Sequence, residues 1–305
     1  MAPMALMAPM ANGRILPPKL VLTLTHACNL RCPYCPLVKS AGSMKLEVAQ
    51  RAAELFFARH PGHGNTVKFF GGEPMLSLRI MRAILPRLRD RYVGKGLKFF
   101  VSTNATLLNR SAVRFLQRYP EIETAVSGVL EPRTVLSLPN FHVNIPIPPH
   151  LAHKLGEYVA RLLARGIRRL NFLPAYYLRW ESSQLKALER DFRVSAGLIA
   201  RRRRRGEAIE VKNETNWAPT PLYNHGMVVG PEGDIYPCNL VFAEHFSHLR
   251  SRLRLGNVLE SDSIDWSRAD DVRYDALIRD ALPRDVYRST YAVDRHLTRF
   301  VEALA

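Results

Sequence analysis

Cysteine is scarce in this chain. There are four in 305 residues, with none between 36 and 237 and none after 238. So sparse a set excludes a disulfide-stapled secreted scaffold, whose pairs would be spread across the fold, and a reducing cytoplasm is the expected setting. Long apolar runs are missing too, so no segment is expected to span a bilayer and no membrane partner is expected. Acidic residues are in deficit, with 27 Asp and Glu against 44 Lys and Arg, a net charge of +17. The basic residues are scattered over nearly every expected helix, which fits a general compositional bias; an acidic or polyanionic partner is the sharper reading. The opening "MAPMALMAPMANGR" has neither a charged segment before its apolar residues nor a convincing cleavage site after them, so residues 1–17 read as a flexible leader rather than a signal peptide.

What is present is a chain of 47% hydrophobic residues, enough to bury a real core. Apolar β-branched runs alternate with segments of helical period. Strands are expected at 19–25, 66–70, 97–103, 122–127, 141–147 and 168–174, and helices at 45–60, 77–92, 109–119 and 151–166, with a long helical region to about 205. Pro86 should kink or split the second helix, Asn109 is placed to cap the third, and Gly166 to close the fourth. Six such β-then-α units imply an α/β fold with a parallel sheet and outer helices. Periodicity alone leaves open whether that sheet is flat, partly closed or a full barrel. After about 206 the texture changes: "GMVVGPEGDIYPC" (226–238) reads as a β-hairpin turning at "PEGD", and two helical stretches follow "LGNV". A βα domain over 18–206 and a smaller module over 207–305 are therefore expected.

Three of the four cysteines, Cys28, Cys32 and Cys35, form a C-x3-C-x2-C run directly after the first strand. Ligands of βα proteins gather at the carboxyl ends of strands, so the place suits chemistry. A structural zinc would want four protein ligands. His26 is the nearest candidate for the fourth, the alternative being an ordinary loop histidine. An iron–sulfur cube also takes thiolates, and three of them would leave one iron open.

"CNLRCPYC" resembles the signature of the radical S-adenosylmethionine (SAM) superfamily. The resemblance implies that Cys28, Cys32 and Cys35 hold one [4Fe–4S] cluster whose fourth iron is chelated by SAM, with Tyr34 near the adenine. It also implies a partial (β/α)6 barrel of TIM-like type with a small hairpin and helical extension. "FFGGEP" (69–74) ends the second strand and is similar to the family's GGEP motif, which makes Gly71, Gly72, Glu73 and Pro74 candidates for holding the amino group of SAM. Glycines allow close backbone approach, and a carboxylate can pair with an ammonium. "STNATLL" (102–108) resembles a further family segment and points to Thr103 and Asn104, with Ala105 where the family usually has glycine. Ser127 ends the fourth strand, where relatives often carry an acidic residue that is missing here. Asn144 reads either as a SAM contact or as a satisfied strand polar group, and Leu173 as packing, against adenine if SAM is bound.

"GPEGDIYPC" and "LGNV" resemble the SPASM or twitch extension of peptide-modifying members of that superfamily, whose extra cysteines ligate auxiliary clusters. One thiol, Cys238, cannot hold a cluster unaided, so no auxiliary cluster is expected. Cys238 is then either a packed thiol or a hydrogen-atom donor to a substrate radical. The resemblance implies a ribosomally made peptide as substrate, modified by crosslinking or epimerisation, and an external one-electron donor of flavodoxin or ferredoxin type. The alternatives are a small-molecule or RNA substrate, or a non-catalytic peptide-binding relative. The Arg201–Arg205 run reads as a solvated helix end or as an acidic-leader contact. It lacks interleaved aromatics, so nucleic acid is not an expected partner.

Overall fold

The computed structural model describes residues 10–11, 14–15, 18–127, 132–215, 225–260, 264–270 and 272–304. The expected leader over 1–17 lies mostly outside these; within it, Met10–Ala11 pairs antiparallel with Arg14–Ile15. The main sheet has ten strands: β1 (Lys19–Thr25), β2 (Thr66–Gly71), β3 (Lys98–Thr103), β4 (Ile122–Val126), β5 (Phe141–Ile147), β6 (Arg169–Pro174), β7 (Glu210–Val211), β8 (His225–Val229), β9 (Asp234–Cys238) and β10 (Gly256–Asn257). Their spatial order is β10-β9-β8-β1-β2-β3-β4-β5-β6-β7, so β7 and β10 are edges and the sheet is open. From β1 to β7 all neighbours are parallel, whereas β9 runs antiparallel to both of its neighbours, β8 and β10.

The principal helices are α1 (Leu46–Arg59), α2 (Leu78–Tyr92), α3 (Arg110–Arg118), α4 (Leu155–Ala164), α5 (Ser182–Arg204), α6 (Tyr274–Ala281) and α7 (Arg284–Glu302). Asn109 caps α3 as expected, its Oδ1 accepting from the amides of Ser111 and Ala112 at 3.0 Å each. Gly166 adopts φ +87° just beyond α4, a conformation that glycine reaches without strain. Pro86 does not split α2. Met81 and Ile84 on one side of it and Leu88 on the other are buried in one apolar face, and that packing holds the helix together across the proline.

The strands alternate between an outer face under the helices and an inner face. On β6, Leu170 and Phe172 point outward, and Phe172 meets Phe192 of α5 and Phe300 of α7. Arg169 and Asn171 point inward. The inner face carries charge: Glu123 of β4 meets His142 of β5 at 2.8 Å and Lys212, just past β7, at 2.9 Å. Strands in a sheet stand about 4.8 Å apart, so Lys212 reaches back across two strands only because the sheet curls toward this face. The curl makes the sheet an open, barrel-like wall, in line with the partial barrel that the family resemblance implied. Deeper in, Lys68 lies 5.3 Å from the Phe70 ring and 4.7 Å from the Phe100 ring, and burial pushes its ammonium down to about 7.

Burial alone would raise the Glu123 carboxyl, but hydrogen bonds from His142 and Lys212 outweigh it and bring the group down to about 2. A carboxyl held below its unfolded value of 4.5 contributes stability that is complete above that pH and is lost as pH falls toward 2. Acid titration of wild type and Glu123→Gln followed by circular dichroism should show a shallower acid limb in the variant. Superimposable acid limbs would exclude Glu123 as a source of acid sensitivity.

Two features of the topology carry no local signal in the sequence. Residues 207–305 were read as an appended module, yet β8 pairs in parallel with β1 (Val228 opposite Val21) and β7 extends the other edge through Val211 opposite Leu170. One sheet therefore runs across both parts.

Candidate functional site

The loop after β1 carries the three cysteines, all half-buried. It is held at both ends. On the near side, Gly72 N donates to Thr25 O and Glu73 N to Ala27 O, each at 2.9 Å, so the turn after β2 is zipped to the start of the cysteine loop. On the far side, Val38 N donates to Phe242 O and Glu244 N to Pro36 O, again at 2.9 Å. The segment after β9 thus straps the loop from behind. His26 packs against Phe242 in a tilted arrangement with ring centroids 4.8 Å apart, and burial lowers its basicity, so this histidine is a packing residue.

The two glycines serve this zipper. A Cβ on Gly71 would stand 2.2 Å from Thr25 O, and one on Gly72 2.2 Å from Ala27 O. What they approach closely is the cysteine loop itself, where the sequence had pointed to a ligand.

Glu73 is almost wholly buried. Its Oε1 accepts from Met75 N at 3.0 Å and Thr103 Oγ1 at 2.8 Å, and its Oε2 accepts from Asn104 N at 2.7 Å. It thereby ties the end of β2 to the end of β3. Burial raises its carboxyl, against the three hydrogen bonds that favour the charged form. A carboxylate has about four lone-pair sites, so one remains for a further donor. Pro74 opens the short 3-10 turn after Glu73, at the position where a missing N–H costs nothing.

Asn104 extends the network to the cysteines. Its Nδ2 lies 3.0 Å from Asn29 Oδ1 and 3.8 Å from Cys28 Sγ, its Oδ1 accepts from Thr106, and Asn29 donates back to Thr106 Oγ1 at 2.7 Å. Neither Asn29 nor Thr106 was picked out from the sequence, although both lie inside the motifs that were. Ala105 adopts φ +66°, the left-handed region that favours glycine, which costs an L-residue about 1–2 kcal/mol. Ala105→Gly should therefore stabilise the fold by up to about 1 kcal/mol once the extra chain entropy of glycine is subtracted. A melting temperature equal to or below wild type would show that the strain is absorbed elsewhere.

Cys28, Cys32, Cys35, Tyr34, Gly71, Gly72, Glu73, Thr103, Asn104, Ser127 and Leu173 all line one cavity of about 240 Å³ at the carboxyl ends of the parallel strands. Ser102, Pro146 and Tyr176, which sequence reasoning did not find, line it as well. Ser102 and Pro146 alternate inward with Phe100 and Asn144, a signal legible only once the inner face is known. Tyr34 lies beside the Cys32 sulfur, and burial with that thiol raises its phenol. Burial raises the Cys35 thiol, while the Leu37 amide and Lys39 oppose the rise. Ser127 donates to Thr103 O at 3.3 Å; residues 128–131 beyond it, where an acidic side chain was sought, lie outside the described residues.

Asn144 does not line the cavity. It sits opposite Asn171 and accepts from its Nδ2 at 2.9 Å. Cys238 does not line it either. The thiol is fully buried beneath the strap, faces the amides of Leu240 and Val241 and the Tyr274 hydroxyl, and is pushed up to about 12 by burial.

The donor set suits an iron–sulfur cluster. Three soft thiols stand on one loop, braced on two sides, beside a cavity walled by polar and apolar groups. Among the described residues, no three His, Cys, Asp or Glu side chains gather as ligands of a single ion.

Comparison with known proteins agrees. The radical SAM superfamily pattern matches residues 22–130, from β1 to just past β4 in the sequence. An uncharacterized protein, MJ0907, of Methanocaldococcus jannaschii is 25% identical over 176 residues, covering 50% of this chain and 61% of that protein. The Fe-coproporphyrin III synthase of Methanosarcina barkeri is 30% identical over 101 residues, covering 33% of this chain and 24% of that protein. The chain thus spans less than two thirds of the length of either relative. Among solved structures, native anSMEcpe with bound AdoMet and Cp18Cys peptide superimposes with a TM-score of 0.70 at 16% identity, over 94% of this chain and 99% of that one. Streptococcus suis SuiB bound to S-adenosylmethionine gives 0.58 at 16% identity, over 86% and 68%. At that identity the likeness speaks for the fold. Cysteine spacing and strand-end placement agree with the matched pattern, so residues 22–130 carry a radical SAM domain.

Proposed function

We propose that this chain is a radical SAM enzyme that abstracts hydrogen from a C–H bond of a ribosomally made peptide. The observation that carries the first part is the single cavity shared by the three thiols, the Gly71–Glu73 turn and the β3 end. When bound and reduced by an external one-electron donor of flavodoxin or ferredoxin type, the [4Fe–4S] cluster and SAM supply methionine and a 5′-deoxyadenosyl radical. Cys28, Cys32 and Cys35 hold the cluster. The free lone pair of Glu73 is placed to take a proton donor such as the amino group of SAM. Tyr34, Pro146 and Leu173 form the apolar wall that shields a radical from water and stray hydrogen donors. Fixing both partners in one geometry is the protein's share of the catalysis.

A peptide substrate is supported by anSMEcpe, whose structure with a bound peptide matches nearly the whole chain, and by Streptococcus suis SuiB bound to precursor peptide SuiA, at a TM-score of 0.53. We take the region after 206 to carry no auxiliary cluster, because Cys238 is its single thiol. The burial of that thiol away from the cavity favours a packing role over hydrogen donation. The Fe-coproporphyrin III synthase relative favours a second reading, a small-molecule substrate, over 101 residues.

The test is anaerobic reconstitution with iron and sulfide, reduction, and mass spectrometry for 5′-deoxyadenosine. Its formation, with a mass change in a coexpressed peptide, is the expected result. Absence of 5′-deoxyadenosine from a cluster-loaded sample would instead favour a non-catalytic peptide binder.

A further inference from the structure

Away from the cysteines, the C-terminal region encloses a groove of about 580 Å³, within the range of about 300–1,000 Å³ typical of ligand pockets. It lies between residues 248–253, the turn Ser267–Asp270 and α6. Its floor is apolar, formed by Leu249, Leu253, Val272 and Leu277. Its rim carries Arg252, Arg268 and Arg273, all exposed.

These arginines differ from most of the paired ones elsewhere in the chain. Arg254 holds Asp234, Arg203 holds Glu214, Arg202 holds Glu207 and Arg169 holds Glu210. Among the described residues, none of the three rim arginines is within ion-pair distance of a carboxylate, although Asp265 lies close enough to Arg268 for their charges to interact. Asp280, the one acid lining the groove among the described residues, is paired with Arg279. Arg268 is also fixed in place: its guanidinium donates to the backbone oxygens of Arg254 and Arg252, leaving its remaining N–H groups for a ligand.

We propose that this groove binds an acidic amphipathic segment of a peptide, its apolar side chains on the floor and its carboxylates on Arg252, Arg268 and Arg273. The inference rests on the peptide reading above only in taking that segment to belong to the substrate. An apolar floor beneath the exposed guanidiniums of Arg252, Arg268 and Arg273 is complementary to that one chemistry: a phosphate would leave the floor bare, and a basic segment would be repelled. The groove continues in sequence from the strap on the cysteine loop, and Arg250 donates to Val241 O at 2.9 Å between them.

The experiment is fluorescence anisotropy on the reconstituted protein, with a labelled synthetic peptide of Glu-Leu-Leu-Glu repeats as probe. Binding should weaken at least about tenfold, roughly 1.4 kcal/mol, in Arg252→Glu/Arg273→Glu, and likewise in Ala276→Glu, which places a carboxylate in the groove without touching the arginines. The charge-matched pair Arg201→Glu/Arg205→Glu, on the exposed end of α5, should bind as wild type. A Lys-Leu-Leu-Lys probe and a Glu-Ser-Ser-Glu probe should each bind at least about tenfold more weakly. Equal loss in the α5 variant would reduce the effect to net charge and overturn the proposal. So would equal binding of the serine probe, or displacement of the peptide by millimolar inorganic phosphate. Formation of 5′-deoxyadenosine without peptide should be the same in Arg252→Glu/Arg273→Glu and wild type. Failure of the radical SAM reading therefore shows in that assay, and failure of the groove in the anisotropy.

Discussion

Cys32→Ala is expected to purify without the iron–sulfur chromophore and to lower 5′-deoxyadenosine formation at least about a thousandfold, some 4 kcal/mol in barrier terms. Each of the three thiols would hold a different iron, and none has a neighbour able to stand in for it. His26, the nearest imidazole in the chain, is packed on Phe242. Tyr34 lines the same cavity as the sulfur that is removed, so the substitution also loosens the aromatic wall there. Cys28→Ala and Cys35→Ala should behave alike. Cys238→Ala is the internal contrast. It should keep full iron content and SAM cleavage and lose only the stability of a buried small side chain and its amide contacts. Iron and sulfide analysis beside product quantitation separates the two classes. A cluster retained at full occupancy in Cys32→Ala would remove that residue from the ligand set.

Much of this site was legible in the sequence because it is local. The cysteines fall within eight positions, and the GGEP and TNA segments each end a strand whose apolar alternation can be read directly. Placement at the carboxyl ends of adjacent parallel strands then follows from the topology of βα units. What escaped was long-range. Nothing near Phe242 signals that its carbonyl will receive Val38 N from the cysteine loop, and nothing in "HGMVV" says that it pairs in parallel with β1. The two-residue strand β7 is too short to carry a period. Asn144 and Pro146 alternate in the same direction on β5, yet only Pro146 reaches the cavity, because Asn144 is taken by Asn171 one strand over. The role of the glycines shifted for the same reason: local chemistry named a ligand, and the tertiary contact is with the backbone of residues 25–27.

That contact makes Gly72→Ala a severely damaging substitution. Its Cβ would lie 2.2 Å from the Ala27 oxygen, 2.6 Å from the Ala27 carbonyl carbon and 2.8 Å from the His26 oxygen. All three are backbone atoms, so no rotamer change relieves the overlap. The strands must part, and the bonds from Gly72 N to Thr25 O and from Glu73 N to Ala27 O go with them. Two buried hydrogen bonds at about 1 kcal/mol each, with about 1–3 kcal/mol of overpacking, place the loss at roughly 3–5 kcal/mol. Part of it falls on function, since moving Ala27 moves Cys28 and turning the β2 end moves Glu73 away from Thr103 and Asn104. Gly197→Ala is the control: it adds the same methyl at an exposed position of α5 with no atom within 4 Å. Removing a helix-interior glycine there should stabilise the fold by about 1 kcal/mol. Thermal melts of the two variants should therefore move in opposite directions from wild type, and cluster content should fall in Gly72→Ala alone. If Gly72→Ala melted with wild type and loaded its cluster fully, the zipper between the β2 turn and the cysteine loop would have no energetic weight.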